Sequence, residues 1–188
     1  MGAVEFPIKT KTSNDLDIEL YKDGTWKFLI KDSYQKPSTS TRVLKSKKGF
    51  IEIWYNPSKW KKTKQPASPA EEFSLIHKTG DGYAIMIIES AKMSRSKLKK
   101  QAIRNAKKVD PDAYISLEKV VKVNGKKVLI MNIRGTVEKA NFVYHSAYWS
   151  GSEGVFQIIT YSTSELFNEH YQDLDDILAG IIIKSKKK

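Results

Sequence analysis

The stretch from residue 114 to residue 162 restricts the fold of this chain more than any other part. It contains four runs rich in β-branched and aromatic residues, and we predict strands at 114–123, 126–137, 141–149 and 154–162. The connections are short, and the first of them is Asn124-Gly125, a dipeptide typical of tight hairpins. Short connections join antiparallel neighbours, so the sequence predicts a four-stranded antiparallel meander.

Two segments with helical periodicity flank this meander. Residues 94–109 repeat apolar and small side chains at helical spacing around Leu98 and Ala102, and Asp110-Pro111 ends the pattern. Residues 164–179 have a second apolar face that begins at Phe167 and continues to Leu178. We predict one helix for each segment.

Further strand patterns precede the first helix. We predict strands at 49–55, 72–78 and 83–90, and the sequence TGDG between the last two is typical of a tight turn. Because the strands are grouped apart from the helices, the element order predicts an α+β fold with an antiparallel sheet flanked by helices.

The N-terminal part of the chain has a different pattern. Residues 1–13 lack clear periodicity, and we expect them to fray. Residues 17–21 and 25–30 flank Asp23-Gly24, which predicts a hairpin. Residues 31–48 are rich in Ser, Thr and Lys and predict a linker. We therefore predict an N-terminal domain, 1–47, of hairpin and linker, and an α+β domain, 48–188.

The segment FIEIWYNPSKW, residues 50–60, raises the question of whether Trp60 recognises a ligand or fills the core. Pro57 lacks the N–H that a strand ladder needs, so the predicted strand ends before it. The chain then turns, and we expect Trp60 to fold back and close the open end of the core.

The chain resembles PsbP-like domains. The resemblance rests on YNPSKW, on the turn VNGKK, on the C-terminal ILAGIII and on the element order, and it covers residues 48–184. It implies an α/β/α sandwich with a non-enzymatic role in binding or complex assembly. That fold is shared by an extrinsic protein of photosystem II, a Ran-binding protein and many bacterial proteins, so it implies no particular partner. Asn56 departs from the family pattern, in which Tyr more often directly precedes Pro.

Composition excludes several classes of protein. The chain has no cysteine, which excludes disulfides, thiolate zinc sites and cysteine nucleophiles. No apolar run reaches the length of roughly 18 residues that a membrane-spanning helix needs, so we predict that it is not an integral membrane protein. We expect an exported or periplasmic protein if a signal peptide was removed, and a cytoplasmic one otherwise.

The first predicted helix is strongly basic. The chain carries a formal net charge of +12, and residues 92–108 contain eight Lys or Arg and no acid. Such a concentration is typical of a surface for an anionic partner, nucleic acid or lipid head group, and also of a solvated helix face. The candidate surface comprises Lys97, Lys100, Arg104, Lys107 and Lys108.

Aromatic residues are concentrated in the meander. Strand alternation places Phe142, Tyr144 and Tyr148 on one face, with Trp149 on the other. If helices leave the first face uncovered, these three side chains are the candidate site for a partner or small ligand.

The remaining polar patterns predict no catalytic or metal site and no cofactor. His77, His145 and His170 are too far apart in sequence for the usual spacing of zinc ligands. Glu165, Glu169, Asp173 and Asp176 form an acidic stripe, which we interpret as a solvated helix face.

The leading hypothesis is therefore a non-catalytic binding or assembly module that acts through protein–protein contacts. The first alternative is binding of an anionic surface or nucleic acid by the basic helix. The second is a small-ligand enzyme that uses His145 or His170, which would require one of these rings to lie in a concave site near an acid or hydroxyl.

Overall fold

A computed structural model describes residues 5–12, 17–66 and 68–184 of the 188-residue chain. The contacts between residues divide the chain into two compact units, Met1–Asp32 and Ser33–Lys188. The predicted division into domains 1–47 and 48–188 stays a prediction.

The smaller unit is a three-stranded antiparallel sheet of β1 (Ile8–Lys11), β2 (Asp17–Leu20) and β3 (Trp26–Phe28). Gly24, with a φ of 81°, forms the turn between β2 and β3, so the predicted hairpin is confirmed. The expectation that residues 1–13 fray is wrong for β1, because β1 pairs along the open edge of β2 although its sequence lacks strand alternation. Residues 1–4 and 13 lie outside the described part of the chain.

The larger unit contains eleven strands and two helices in its described residues. In chain order these elements are β4 (Ser33–Tyr34), β5 (Arg42–Lys45), β6 (Ile51–Tyr55), β7 (Trp60–Lys62), β8 (Phe73–His77), β9 (Gly82–Glu89), α1 (Arg95–Val109), β10 (Tyr114–Val123), β11 (Lys126–Val137), β12 (Ala140–Ser150), β13 (Val155–Thr163), α2 (Phe167–Ala179) and β14 (Ile181–Ile183).

The main sheet has eight strands in the order β4-β10-β11-β12-β13-β9-β8-β7. All neighbours are antiparallel except β4 and β10, so the predicted meander of β10 to β13 is confirmed. A smaller antiparallel sheet, β14-β6-β5, contains the strand predicted at 49–55. The α+β fold class is confirmed.

The prediction of a linker at residues 31–48 is wrong, because this segment contains β4 and β5. Tyr34 of β4 and Leu44 of β5 are buried, whereas Arg42 and Lys45 are exposed. Both strands are at the edge of a sheet, where few positions face the core, so their composition remains that of a polar loop.

The two helices cover opposite faces of the main sheet. Leu98 and Ala102 of α1 pack on Met131 and Tyr148. On the other face, the ring of His145 lies 5.4 Å from that of Tyr171 of α2, measured between centroids. Tyr148 and His145 are three residues apart in β12 and therefore point to opposite faces. The result is the α/β/α sandwich that the resemblance implied.

Trp60 is buried, as expected, with 3% of its surface exposed. It begins β7 at the edge of the main sheet, directly opposite His77 in β8. Its ring meets that of His77 edge to face, with 5.2 Å between centroids. Trp60 is therefore part of the core that holds this edge of the sheet.

We predict that Trp60→Ala destabilises the fold by about 3 to 5 kcal/mol, because it leaves a large cavity beneath the edge strand. Urea denaturation monitored by circular dichroism measures this loss. The control is Tyr114→Ala, which truncates an aromatic side chain that is 54% exposed in the same unit, and we expect it to cost about 1 kcal/mol or less. A loss of only a few tenths for Trp60→Ala would contradict its role in the core.

Candidate functional site

A cavity lies between α1 and the main sheet. It has a volume of about 710 Å³ and is lined by β9, α1, β11, β12 and β13. All three aromatic residues that the alternation of β12 placed on one face, Phe142, Tyr144 and Tyr148, line it. Trp149 points away and stacks on Phe156, 5.8 Å between centroids.

The cavity lies on one face of the main sheet, and α1 does not cover all of that face. Its apolar side chains are only half-buried and are adjacent across three strands, since Tyr161 of β13 pairs with Tyr83 of β9 and with Tyr144 of β12. The rings of Tyr83 and Tyr161 stack at 5.1 Å. We call this surface the open apolar face, and it comprises Tyr83, Ile85, Ile87, Phe142, Tyr144, Ile159 and Tyr161.

The tyrosines of the cavity carry no charge at neutral pH. Burial raises the pKa of Tyr148 and that of Tyr161 to about 12. Burial also raises the pKa of Tyr144, and the nearby Asp110 carboxylate adds to the increase. Asp110 itself accepts a hydrogen bond of 2.7 Å from the backbone N–H of Thr136. The cavity is therefore a largely neutral, aromatic surface with one acid at its edge.

The basic helix presents its cations to solvent. Ser94 caps α1 by accepting a hydrogen bond from the backbone N–H of Lys97. The five predicted side chains are exposed, and none has an ion-pair partner within the part of the chain that the structure describes: Lys97, Lys100, Arg104, Lys107 and Lys108. At 3.6 residues per turn they occupy about 100° of arc opposite Leu98. None of the five lines the cavity, so the two predicted surfaces are separate.

His145 lies on the opposite face of the sheet from the cavity and is fully buried. Its Nδ1 lies 2.6 Å from Asn132 Oδ1, and its Nε2 lies 3.0 Å from Asp175 Oδ1 on α2. Both ring nitrogens are thus satisfied in the core, out of reach of a substrate. The second alternative from the sequence is an enzyme that uses His145 or His170, and this geometry gives no support to its His145 form.

Asp175→Asn is predicted to destabilise the protein by about 1 to 3 kcal/mol, because an amide replaces the buried carboxylate that contacts the His145 ring and leaves a polar group of this pair poorly satisfied. Thermal and urea unfolding measure the change. Glu169→Gln, an exposed acid on the same helix, is the matched control, and we expect its cost to stay below about 1 kcal/mol. Equal costs for the two variants would contradict the structural role of the pair.

A second polar cluster joins α2 to the edge of the sheet. The cluster consists of His77, His170 and Asp173. Each side chain offers one potential ligand atom, and these three atoms lie within 4.8 Å of one another. Both histidines are buried, and His77 Nε2 lies 3.1 Å from Asp173 Oδ2. Burial lowers the pKa of His77, although the Asp173 carboxylate partly opposes this change. Burial thus favours the neutral form of the His77 ring.

Sequence spacing missed this cluster. His77 belongs to β8, and the other two residues belong to α2, so no local motif contains all three. The available signal was the spacing of His170 and Asp173, three residues apart on a helix and therefore on one side of it. The interpretation of the acidic stripe as solvated holds for Glu165 and Glu169, which are exposed, whereas Asp173 contacts His77 and Lys59.

Comparison with solved structures identifies the fold. The solution structure of cyanobacterial PsbP from Synechocystis sp. PCC 6803 is similar over 78% of this chain and 94% of its own, with a TM-score of 0.60 and 11% identity. A crystal structure from Bacteroides thetaiotaomicron matches over 79% of this chain and 50% of its own, with a TM-score of 0.52 and 13% identity.

A putative regulator of unknown function from Pseudomonas aeruginosa has a TM-score of 0.49 and 9% identity, over 77% of this chain and 98% of its own. No protein-family model matches the sequence, and no curated protein does. The similarity to the Synechocystis structure shows that the chain has a PsbP-like fold, as the resemblance implied, and an identity of 11% establishes nothing beyond the fold.

Neither helix in the described residues has the length and apolar character that crossing a bilayer requires.

Proposed function

We propose that this protein is a non-catalytic binding module that holds an apolar segment of a protein partner against the open apolar face. The observation that carries the proposal is the continuous set of half-buried aromatic and aliphatic side chains across β9, β12 and β13. Isolated exposed apolar residues are ordinary on protein surfaces, whereas a continuous patch of this kind is typical of an interaction site.

The shape of the site favours a protein segment over a small enclosed ligand. Every residue of the open apolar face except Tyr83 also lines the cavity, and Tyr83 extends the face beyond it by stacking on Tyr161. Apolar side chains of the partner fill the cavity, which is open to solvent, and a neighbouring residue of the partner covers Tyr83. Rigid aromatic rings suit this role because ordering them on binding costs little entropy.

Charge indicates the chemistry of the partner. The chain carries a net charge of +12, and the cations of α1 are exposed, so an acidic partner approaches faster than a neutral one. We therefore propose a partner segment that combines apolar anchor residues with an acidic surface around them. The proposal includes the absence of catalysis, because neither His145 nor His170 lines the cavity.

Photo-crosslinking tests this proposal directly. We predict that p-benzoylphenylalanine in place of Phe142 forms an adduct with a protein partner in the native cell, whereas the same residue in place of Tyr114 does not. Tyr114 is an exposed aromatic that does not line the cavity, so it is the matched control. Equal labelling at both positions, or only a small-molecule adduct at 142, would overturn the proposal.

The identified partner then allows a quantitative test. The double variant Phe142→Ser with Tyr144→Ser should weaken binding by roughly 30-fold, because aromatic anchors supply about 2 kcal/mol or more in such interfaces. Tyr114→Ser should leave the affinity within about twofold. Circular dichroism spectra of the variants serve to verify that they remain folded.

A second candidate function is binding of an anionic surface through α1. The five exposed cations without ion-pair partners in the described residues favour it, since a purely solvated helix face usually mixes charges of both signs. Such binding would use the side of α1 that faces away from the cavity. It therefore makes a prediction separate from that for the open apolar face.

For this candidate we expect affinity for duplex DNA or for vesicles with anionic lipid to fall steeply with added salt. Replacing Lys97, Lys100, Arg104 and Lys107 with Ala should flatten the dependence of log K on log salt by about one unit for each phosphate that these side chains neutralise. The charge-matched control replaces four exposed lysines elsewhere: Lys45, Lys47, Lys48 and Lys61. Identical slopes for the two variants would exclude α1 as the binding surface.

A further inference from the structure

We propose that His77, His170 and Asp173 form a binding site for a divalent transition-metal ion, with Zn²⁺ as the ion that the donor set fits best. Two imidazoles and one carboxylate make up a donor set that catalytic zinc sites use, with a fourth position left for water. Mg²⁺ and Ca²⁺ fit poorly, because they prefer ligand sets made of oxygen.

The separations within the cluster suit a shared ion. Zinc binds nitrogen and oxygen at about 2.0 to 2.2 Å, which places two ligands of a tetrahedral ion about 3.3 Å apart. His77 Nε2 and Asp173 Oδ2 are 3.1 Å apart, close to that separation. The ligand atoms of the whole cluster lie within 4.8 Å of one another, so the largest of these separations needs to shrink by at most about 1.5 Å.

His170 is the residue that requires an explanation. It is 4% exposed, and its Nε2 has no hydrogen-bond partner in the described part of the chain. A buried polar atom without a partner costs free energy, and native structures rarely tolerate it without a reason. Its ring lies 4.9 Å from that of His77, between centroids, so one ion between the two rings would supply the missing contact.

Thr79 orients the ring of His77. His77 Nδ1 lies 2.7 Å from the Thr79 hydroxyl, which leaves Nε2 directed at Asp173. Because a hydroxyl both donates and accepts hydrogen bonds, Thr79 holds the ring whether or not Nδ1 carries the proton. Metal-ligating histidines usually have such a partner on the second nitrogen.

Lys59 already places a cation at the cluster. Its Nζ lies 3.2 Å from Asp173 Oδ2, and its side chain is 49% exposed. Lys59 directly precedes β7, which pairs with β8, so its position beside His77 follows from the sheet. A divalent ion binds only if this ammonium moves away from the carboxylate, which an exposed and flexible side chain permits. Lys59 therefore competes with the metal for Asp173.

The test uses the full chain purified without a histidine tag and treated with a chelator. Isothermal titration with Zn²⁺ measures affinity and stoichiometry, and Co²⁺ serves as an absorbing substitute for the same site. We expect one ion per chain, a d–d absorption spectrum with Co²⁺, and a rise in unfolding temperature with added Zn²⁺ because the ion binds only the folded chain.

Variants that are expected to change the Zn²⁺ affinity in opposite directions make the test specific. His170→Gln and Asp173→Asn should each weaken Zn²⁺ binding by roughly 100-fold or more, whereas Lys59→Gln should strengthen it by about tenfold by removing the competing cation. Glu169→Gln, a charge-matched change on the exposed side of α2, should leave it unchanged. Unfolding curves without metal separate loss of binding from loss of folding.

Two results would overturn the proposal. One is Zn²⁺ affinity that is the same in the parent chain, His170→Gln and Asp173→Asn, which would indicate adventitious binding elsewhere. The other is the absence of binding by Lys59→Gln at millimolar Zn²⁺, since that variant removes the only competing cation that the described residues place on Asp173. Neither result affects the proposal for the open apolar face.

Discussion

The buried contact between His145 and Asp175 is the interaction on which the rest of the larger unit depends. It joins the centre of the main sheet to α2, and both residues are fully buried. Asn132 binds the second nitrogen of the ring, so the direction of the imidazole is set from both sides. A misplaced α2 would leave this polar group without a partner in the core, which is costly, so the contact specifies one position for the helix.

The direction of the His145 side chain also determines which residues of β12 lie on the other face of the sheet. Because strand side chains alternate, the residues on either side of it, Tyr144 and Ser146, must point toward α1, and both line the cavity. On α2, the position of Asp175 fixes the rotation of the helix. His170 and Asp173 then lie along one flank of its buried face, beside β8. The open apolar face and the α2 half of the cluster thus follow from the orientation of one strand, whereas β8 places His77.

Sequence patterns predicted the parts of this structure that depend on local rules. Alternation in β12 placed Phe142, Tyr144 and Tyr148 on one face, and the structure places all three on the cavity. Patterns failed for β1, β4 and β5, which are short strands at the edges of their sheets, where few positions face the core and alternation is weak. They failed for the histidine cluster for a different reason, since His77 and Asp173 are 96 residues apart and meet only in the folded state.

The cluster and the open apolar face are on opposite sides of the sheet but share the hairpin of β8 and β9. Tyr83 of that face pairs with Ile76, the residue before His77. Gly82, which precedes Tyr83, packs so closely on His77 that an added Cβ would lie 3.1 Å from the Cβ of His77. An ion that ties His77 to α2 would therefore restrict the start of β9 and the position of Tyr83.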